Sequence, residues 1–123
     1  MNEDLKEMRY LYHVLEKRSD TYPFKIGEIW YLLDLLHKRI VYHLTNCEPI
    51  HEDIKLYEKI ARCTDAQYGE TEHPVDIELT GAEAYILLLC VFLDKEDTKM
   101  RTKLFYDLYL GIENMTINNP EEV

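Results

Sequence analysis

"GEIWYLLDLL" occupies residues 27–36 and "GAEAYILLLC" residues 81–90. Each runs from glycine through glutamate and an aromatic to a leucine pair, and each lies within a longer apolar pattern of helical period. In the first, Ile29, Leu32, Leu33, Leu36, Ile40 and Leu44 recur at helical spacing, which predicts a helix over residues 24–44 with that stripe inward. The second is apolar all round from residue 84 to 93, as expected of a helix that other helices surround. Thr80 and Glu83 precede it with the S/T-x-x-E spacing of a capping box, so the helix starts there.

Working outward, Leu5, Met8, Leu11, Tyr12 and Leu15 predict a first helix over residues 5–18. "SDTYP" (residues 19–23) collects turn formers and ends in a proline, which pushes the residue before it out of the α region, and it reads as a turn. Pro49, with Glu52 and Asp53 behind it, suits the first turn of a helix whose apolar side is Ile54, Tyr57 and Ile60. Residues 64–78 contain Gly69 and Pro74 and read as an exposed connection. Met100, Leu104, Leu108, Ile112 and Met115 predict a last helix over residues 98–115, and residues 116–123 read as a solvated, disordered tail. The expected fold is all-α, a compact bundle of about five helices forming a single domain over residues 1–123.

The doubled phrase adds a finer expectation. Aligning Glu28 with Glu83 places Trp30 on Tyr85, Leu32 on Leu87 and Leu33 on Leu88, and a slightly shorter offset places Leu56 on Leu108 and Ile60 on Ile112. The bundle would then be two similar helical hairpins plus an N-terminal helix. Two leucine-rich amphipathic helices also match by chance at several registers, so the all-helical expectation does not depend on a duplication.

Composition sets the outer bounds. With 123 residues, 46% hydrophobic, and only four Gly and four Pro, the chain can bury a cooperative core in long regular elements. Met1 is followed by Asn2, Glu3 and Asp4 rather than a basic leader, and the longest apolar run is half of what a bilayer-crossing helix needs. A cytoplasmic protein with no membrane partner is expected. Cys47, Cys63 and Cys90 are scattered and odd in number, which favours free thiols over a disulfide framework.

Most catalytic chemistries lack their residues. Gly27, Gly69, Gly81 and Gly111 are isolated, so there is no phosphate-cradling loop, and Ser19 is the only serine. Carboxylate-x-x-His spacing occurs at Asp34/His37, Glu48/His51 and Glu70/His73, and His43, Cys47 and His51 fall at four-residue intervals. The inner stripes carry no glutamates to complete a di-metal site, and "NCEP" interrupts the helix that would align the zinc set. No catalytic residue, cofactor or metal ligand is assigned; a metal-binding bundle is kept as a third reading.

Charge and tyrosine carry the functional signal. The 24 acidic residues exceed the 14 basic ones by ten, and residues 64–83 hold Asp65, Glu70, Glu72, Asp76, Glu78 and Glu83 with no Lys or Arg among them. Such a patch repels nucleic-acid phosphates and steers towards a cationic partner. Ten tyrosines stand against three phenylalanines and one tryptophan; Tyr10, Tyr31, Tyr42, Tyr68 and Tyr106 fall off the inner stripes. Tyrosine suits surfaces that are half buried and half wet, including binding hot spots.

In size, acidity and tyrosine content the chain resembles the small accessory proteins of bacteriophages, including inhibitors of host defence such as the anti-CRISPR proteins. The resemblance implies a non-enzymatic inhibitor or modulator acting in the host cytoplasm on a basic, nucleic-acid-handling bacterial protein, without touching nucleic acid itself. The charge pattern nominates Asp65, Tyr68, Glu70, Glu72, Asp76 and Glu78 as the partner-binding set. The alternative is a small-molecule or nucleotide binder, with a cleft between the hairpins in which Trp30, Tyr31 and Tyr85 stack a base and His37, Lys38 and Arg39 meet its phosphates. Tyrosines on several helix faces also allow a homo-oligomer.

Overall fold

Tyr22 and Ile77 lie opposite each other in an antiparallel pair of strands, the one class of element the sequence reading does not contain. The structure is a computed structural model that describes residues 6, 13, 15–65, 73–96 and 98–117. Its elements run β1 (Ser19–Phe24), α1 (Ile26–Thr45), α2 (His51–Asp65), β2 (Val75–Thr80), α3 (Gly81–Leu93) and α4 (Lys99–Ile117). The protein is therefore mostly helical, with a small two-stranded sheet, rather than all-α. Of the expected first helix, residues 15–17 are helical and Leu15 is buried; its other apolar positions lie outside the described residues. The last helix runs two residues past its expected end, to Ile117, and the rest of the expected tail is outside the described residues.

Both strands follow from period-two patterning. Val75, Ile77 and Leu79 are buried while Asp76 and Glu78 are exposed, and Tyr22 and Phe24 are buried on either side of exposed Pro23. The constraint that argued against helix before Pro23 also places Tyr22 in the extended region that a strand requires. Proline cannot donate to a ladder, but a two-stranded ribbon has an open edge on each strand where that costs nothing. Gly81 N donates to Arg18 O at 2.9 Å, continuing the pairing one step past β2.

Strand passes into helix almost without a linker. The capping box at α3 forms as the sequence predicts: Thr80 Oγ1 accepts from Glu83 N at 3.1 Å, and Thr80 N donates to Glu83 Oε1 at 2.9 Å. At α1, Lys25 N donates to Glu28 Oε1 at 2.8 Å; only this half is made, because a lysine side chain has no acceptor. Each capping glutamate then reaches across the molecule. Glu28 binds Lys103 Nζ of α4 at 2.8 Å, and Glu83 binds Lys59 Nζ of α2 at 2.7 Å. α1 packs on α2, α3 packs on α4, and α1 and α3 pack on each other.

The two strand-helix-helix units obey one internal numbering. Under the offset that aligns Glu28 with Glu83, buried Ile29, Leu32, Leu35 and Leu36 correspond to Ala84, Leu87, Cys90 and Val91, all buried. The same offset carries Tyr22 onto Ile77, which are paired partners, so the ribbon register is symmetric about that pair. α1 has 20 residues and α3 has 13, and this difference shortens the offset for the second helices. Leu56 then corresponds to Leu104 and Ile60 to Leu108, all at most 1% exposed, in place of the Leu56/Leu108 and Ile60/Ile112 matches expected from sequence. The shortening also explains why Leu44, expected inward, is 55% exposed: α1 overruns its counterpart by about two turns.

Two positions test this account. α1 closes with Cys47 N donating to Leu44 O at 3.2 Å and Glu48 N to His43 O at 2.8 Å, the paired bonds of a Schellman motif, with Cys47 at φ 57°. A non-glycine residue in that left-handed region is strained, so Cys47→Gly should stabilise the fold by about 1 kcal/mol, read as a higher urea midpoint at unchanged slope. Gly111 lies against Tyr22: a Cβ there would overlap the Tyr22 hydroxyl oxygen, which is buried and has no hydrogen-bond partner among the described residues. Gly111→Ala should cost about 1–3 kcal/mol by overpacking, and Tyr22→Phe in the same chain should recover part of that loss.

Candidate functional site

The ribbon shows an acidic face to solvent. Its outward cross-strand pairs are Thr21 with Glu78 and Pro23 with Asp76, and Asp20 is also exposed. Neither strand contains Lys or Arg, and Glu78 accepts from the Ser19 hydroxyl at 3.0 Å. Of the residues nominated from sequence for partner binding, Asp76 and Glu78 thus share one surface. Tyr68, Glu70, Glu72 and the side chain of Asp65 lie outside the described residues. Glu83, part of the same acidic run, is occupied by Lys59.

From the ribbon the surface continues onto α4. A groove of about 430 Å³ between β1 and α4 is lined by Asp20, Pro23, Leu110 and the Lys103–Asp107 ion pair (3.2 Å), with Leu110 52% exposed. Next to Leu110 on the same helix, Tyr106 and Tyr109 are exposed and gather around Phe105. The Phe105 ring is stacked on Tyr109 at 6.3 Å, meets Tyr106 edge-on at 6.0 Å, and meets exposed Phe92 of α3 at 6.3 Å. The sequence reading singled out Tyr106 alone from this group, because stripe analysis does not show that α3 and α4 pack side by side.

A second site opens where α1 outlasts α3. A cleft of about 610 Å³ has Leu35, Cys90 and Leu93 as apolar lining and Lys38, Arg39, His43 and Lys95 as cationic or titratable lining, with Tyr42 and Asp94 beside them. Arg39 Nε donates to Asp53 Oδ1 at 3.1 Å, and Asp53 is only 4% exposed, so a buried carboxylate fixes the guanidinium. His43 lies 3.8 Å from the same carboxylate through Nε2; its Nδ1, 3.4 Å from Glu48, is buried and makes no hydrogen bond. Burial pushes the Cys90 thiol up to about 11, so it lines the cleft as a neutral apolar group and not as a nucleophile.

The structure separates the residues nominated as a ligand site. Lys38 and Arg39 line this cleft. Tyr31 donates its hydroxyl proton to Asp94, fixing the α3 terminus to α1 at the cleft's edge. Trp30, His37 and Tyr85 are exposed and do not line it. Cys90, Leu93, Asp94 and Lys95 line the cleft and Asp53 holds Arg39 beside it, none of them marked for it in the sequence, since their proximity to α1 comes from tertiary packing. Among the described residues no group of three or more His, Cys, Asp or Glu side chains could hold a metal ion. No helix is long and apolar enough to cross a membrane, again among the described residues. Neither a family model, a curated protein nor a solved structure matches the chain.

The Tyr31 bond gives the cleft edge a pH signature. It is the largest cause holding the Asp94 carboxyl below the usual carboxylate range, while burial and then that bond raise the phenol. A depressed carboxyl contributes stability that is present above its unfolded pKa and lost as pH falls through its folded one. Tyr31→Phe should therefore raise the Asp94 pKa in a carboxyl NMR titration. The stability difference between the two chains should shrink as pH drops through the wild-type Asp94 transition.

Proposed function

We propose that the chain is a non-catalytic protein-binding module that occupies a basic surface, acting as an inhibitor or modulator of a nucleic-acid-handling protein in the manner of phage anti-defence proteins. The observations that support it best are the exposed carboxylates Asp76 and Glu78 on the ribbon and, on α4, exposed Leu110, which lines a groove against β1, with exposed Tyr106 and Tyr109 near it on the same helix. Exposed apolar patches rimmed by polar groups mark interaction sites, and tyrosine and other aromatics dominate their energetics. The net charge of −10 selects the sign of the partner. A two-stranded ribbon has the dimensions a DNA major groove admits, but one with Asp76 and Glu78 outward, Asp20 exposed, and no Lys or Arg repels the phosphates. That contrast favours a rival of nucleic acid over a reader of it.

The accompanying reading of the fold is that two units of common plan, each strand, helix and helix, arose from one and later diverged in the length of their first helix. Symmetric register and matched burial support it.

The function is tested by capture from bacterial lysate with the wild-type chain, an Asp76→Lys/Glu78→Lys variant and a Tyr106→Ala variant. Wild type should retain a basic protein that is released as salt rises towards 1 M, where the screening length falls to about 3 Å, and both variants should retain markedly less. Equal capture by all three chains, or capture indifferent to salt, would remove this reading.

A further inference from the structure

We propose that the cleft between the C-terminal halves of α1 and α3 is a binding site for a small amphipathic anion, a medium-chain carboxylate in chemical type, with its head on Arg39, Lys38 and Lys95 and its aliphatic body against Leu35, Cys90 and Leu93.

The cleft arises from the mismatch between the two units. Under the internal numbering Leu35 corresponds to Cys90, Lys38 to Leu93 and Arg39 to Asp94, and all six line it. The two walls are therefore equivalent in position and opposite in chemistry, one cationic and the other mainly apolar. Past these positions α3 ends at Leu93 while α1 continues to Thr45, so the space that a longer α3 would fill stays open. Its volume, about 610 Å³, lies within the range of small-ligand pockets.

The charges in the cleft are set up for an anion. Asp53 holds Arg39 through Nε alone, which leaves both terminal guanidinium nitrogens without a protein hydrogen bond among the described residues. This is the end-on fork that grips a carboxylate with two parallel bonds, held in position before the ligand arrives. Lys95 forms no ion pair among the described residues, and Lys38 is shared with Asp34 at 3.2 Å on an exposed helix surface. Among the described residues Asp94 is the one carboxylate in the lining, and it accepts from the Tyr31 hydroxyl and from Glu96 N. On a chain of net charge −10, three cations converging on an apolar floor form a local exception to the overall field.

The body of the ligand is aliphatic rather than a stacked base. Among the described residues Tyr42 is the only aromatic carbocycle in the lining, and it is fixed edge-on to His43 at 5.6 Å, so no facing pair of rings among them can sandwich a base. Leu35, Leu93 and the neutral Cys90 thiol present flexible, non-directional surface, which suits an alkyl chain.

The test titrates decanoate into the isotopically labelled full chain, with decyltrimethylammonium, inorganic phosphate and AMP as parallel arms. Decanoate should shift the Arg39 Nε–H resonance and the backbone signals of Leu35, Cys90 and Leu93, saturably, while the other three bind at least about tenfold more weakly, the effect of one charge-assisted bond or of losing the alkyl body. Lys38→Gln/Lys95→Gln changes two exposed side chains, so it should keep the wild-type melting temperature and weaken decanoate by about tenfold. Arg39→Lys, which retains a partner for Asp53, should weaken it as well by removing the fork. The proposal is overturned if the cationic detergent matches decanoate, if phosphate or AMP binds the cleft as tightly, or if the shifts centre on Phe92, Phe105 and Tyr109. It is equally overturned if decanoate affinity is indifferent to the substitutions. None of these readouts involves the ribbon carboxylates, so the outcome is independent of protein capture.

Discussion

The pairing of Tyr22 with Ile77 fixes the position of everything else. Side chains alternate along a strand, so a slip of one residue in this register would turn Val75, Ile77 and Leu79 to water and bring Asp76 and Glu78 into the core. The slip would not stop at the ribbon. β1 enters α1 through Lys25 alone and β2 enters α3 with no residue between, so the register also dictates where both first helices begin. The crossed ion pairs of Glu28 with Lys103 and Glu83 with Lys59 then hold the second helix of each unit against the first helix of the other. Tyr22 under Gly111 does the same between ribbon and α4, and packing that close tolerates no added atom.

The helices were legible in the sequence because each shows an apolar stripe of helical period, a continuous apolar run or a clear end signal. Thr80 and Glu83 located the start of α3 to the residue, and "NCEP" marked the end of α1. The strands were legible only in part. "VDIELT" alternates without fault over six residues, yet it follows Gly69 and Pro74 and sits in an acidic run, and punctuation and charge outweighed period. "SDTYPF" offers only Tyr22 and Phe24 as alternating apolar residues beside a proline, and it becomes a strand because β2 is there to pair with it. That dependence on a partner more than fifty residues away is a tertiary effect, which propensity does not contain.

The sites divide along the same line. Carboxylates of the ribbon could be read as a charge pattern, and Lys38 and Arg39 as the cations nearest a cluster of aromatics. The apolar run already ends α3 at Leu93; what the sequence hides is that Asp53, on the next helix, fixes Arg39, and that the end of α3 lies beside it. Trp30 and Tyr85, paired by the internal numbering, look like opposing walls in one dimension. In the folded chain the buried pairs on the same helices, Ile29 with Ala84 and Leu32 with Leu87, occupy the contact, which leaves these rings outside it.

Acidity and an anion-selective cleft are compatible because they act over different distances. At physiological ionic strength the field of exposed carboxylates decays over about 8 Å, so it governs approach to the ribbon face, where a partner of opposite sign would arrive along its whole width. Inside the cleft the nearest charges decide, and a guanidinium anchored to a buried carboxylate in a partly dry setting outweighs screened charges elsewhere on the surface. The cleft that holds this guanidinium opens where α3 ends at Leu93 and α1 continues to Thr45. The difference in length between α1 and α3 thus coincides with a surface whose chemistry differs from that of the ribbon face.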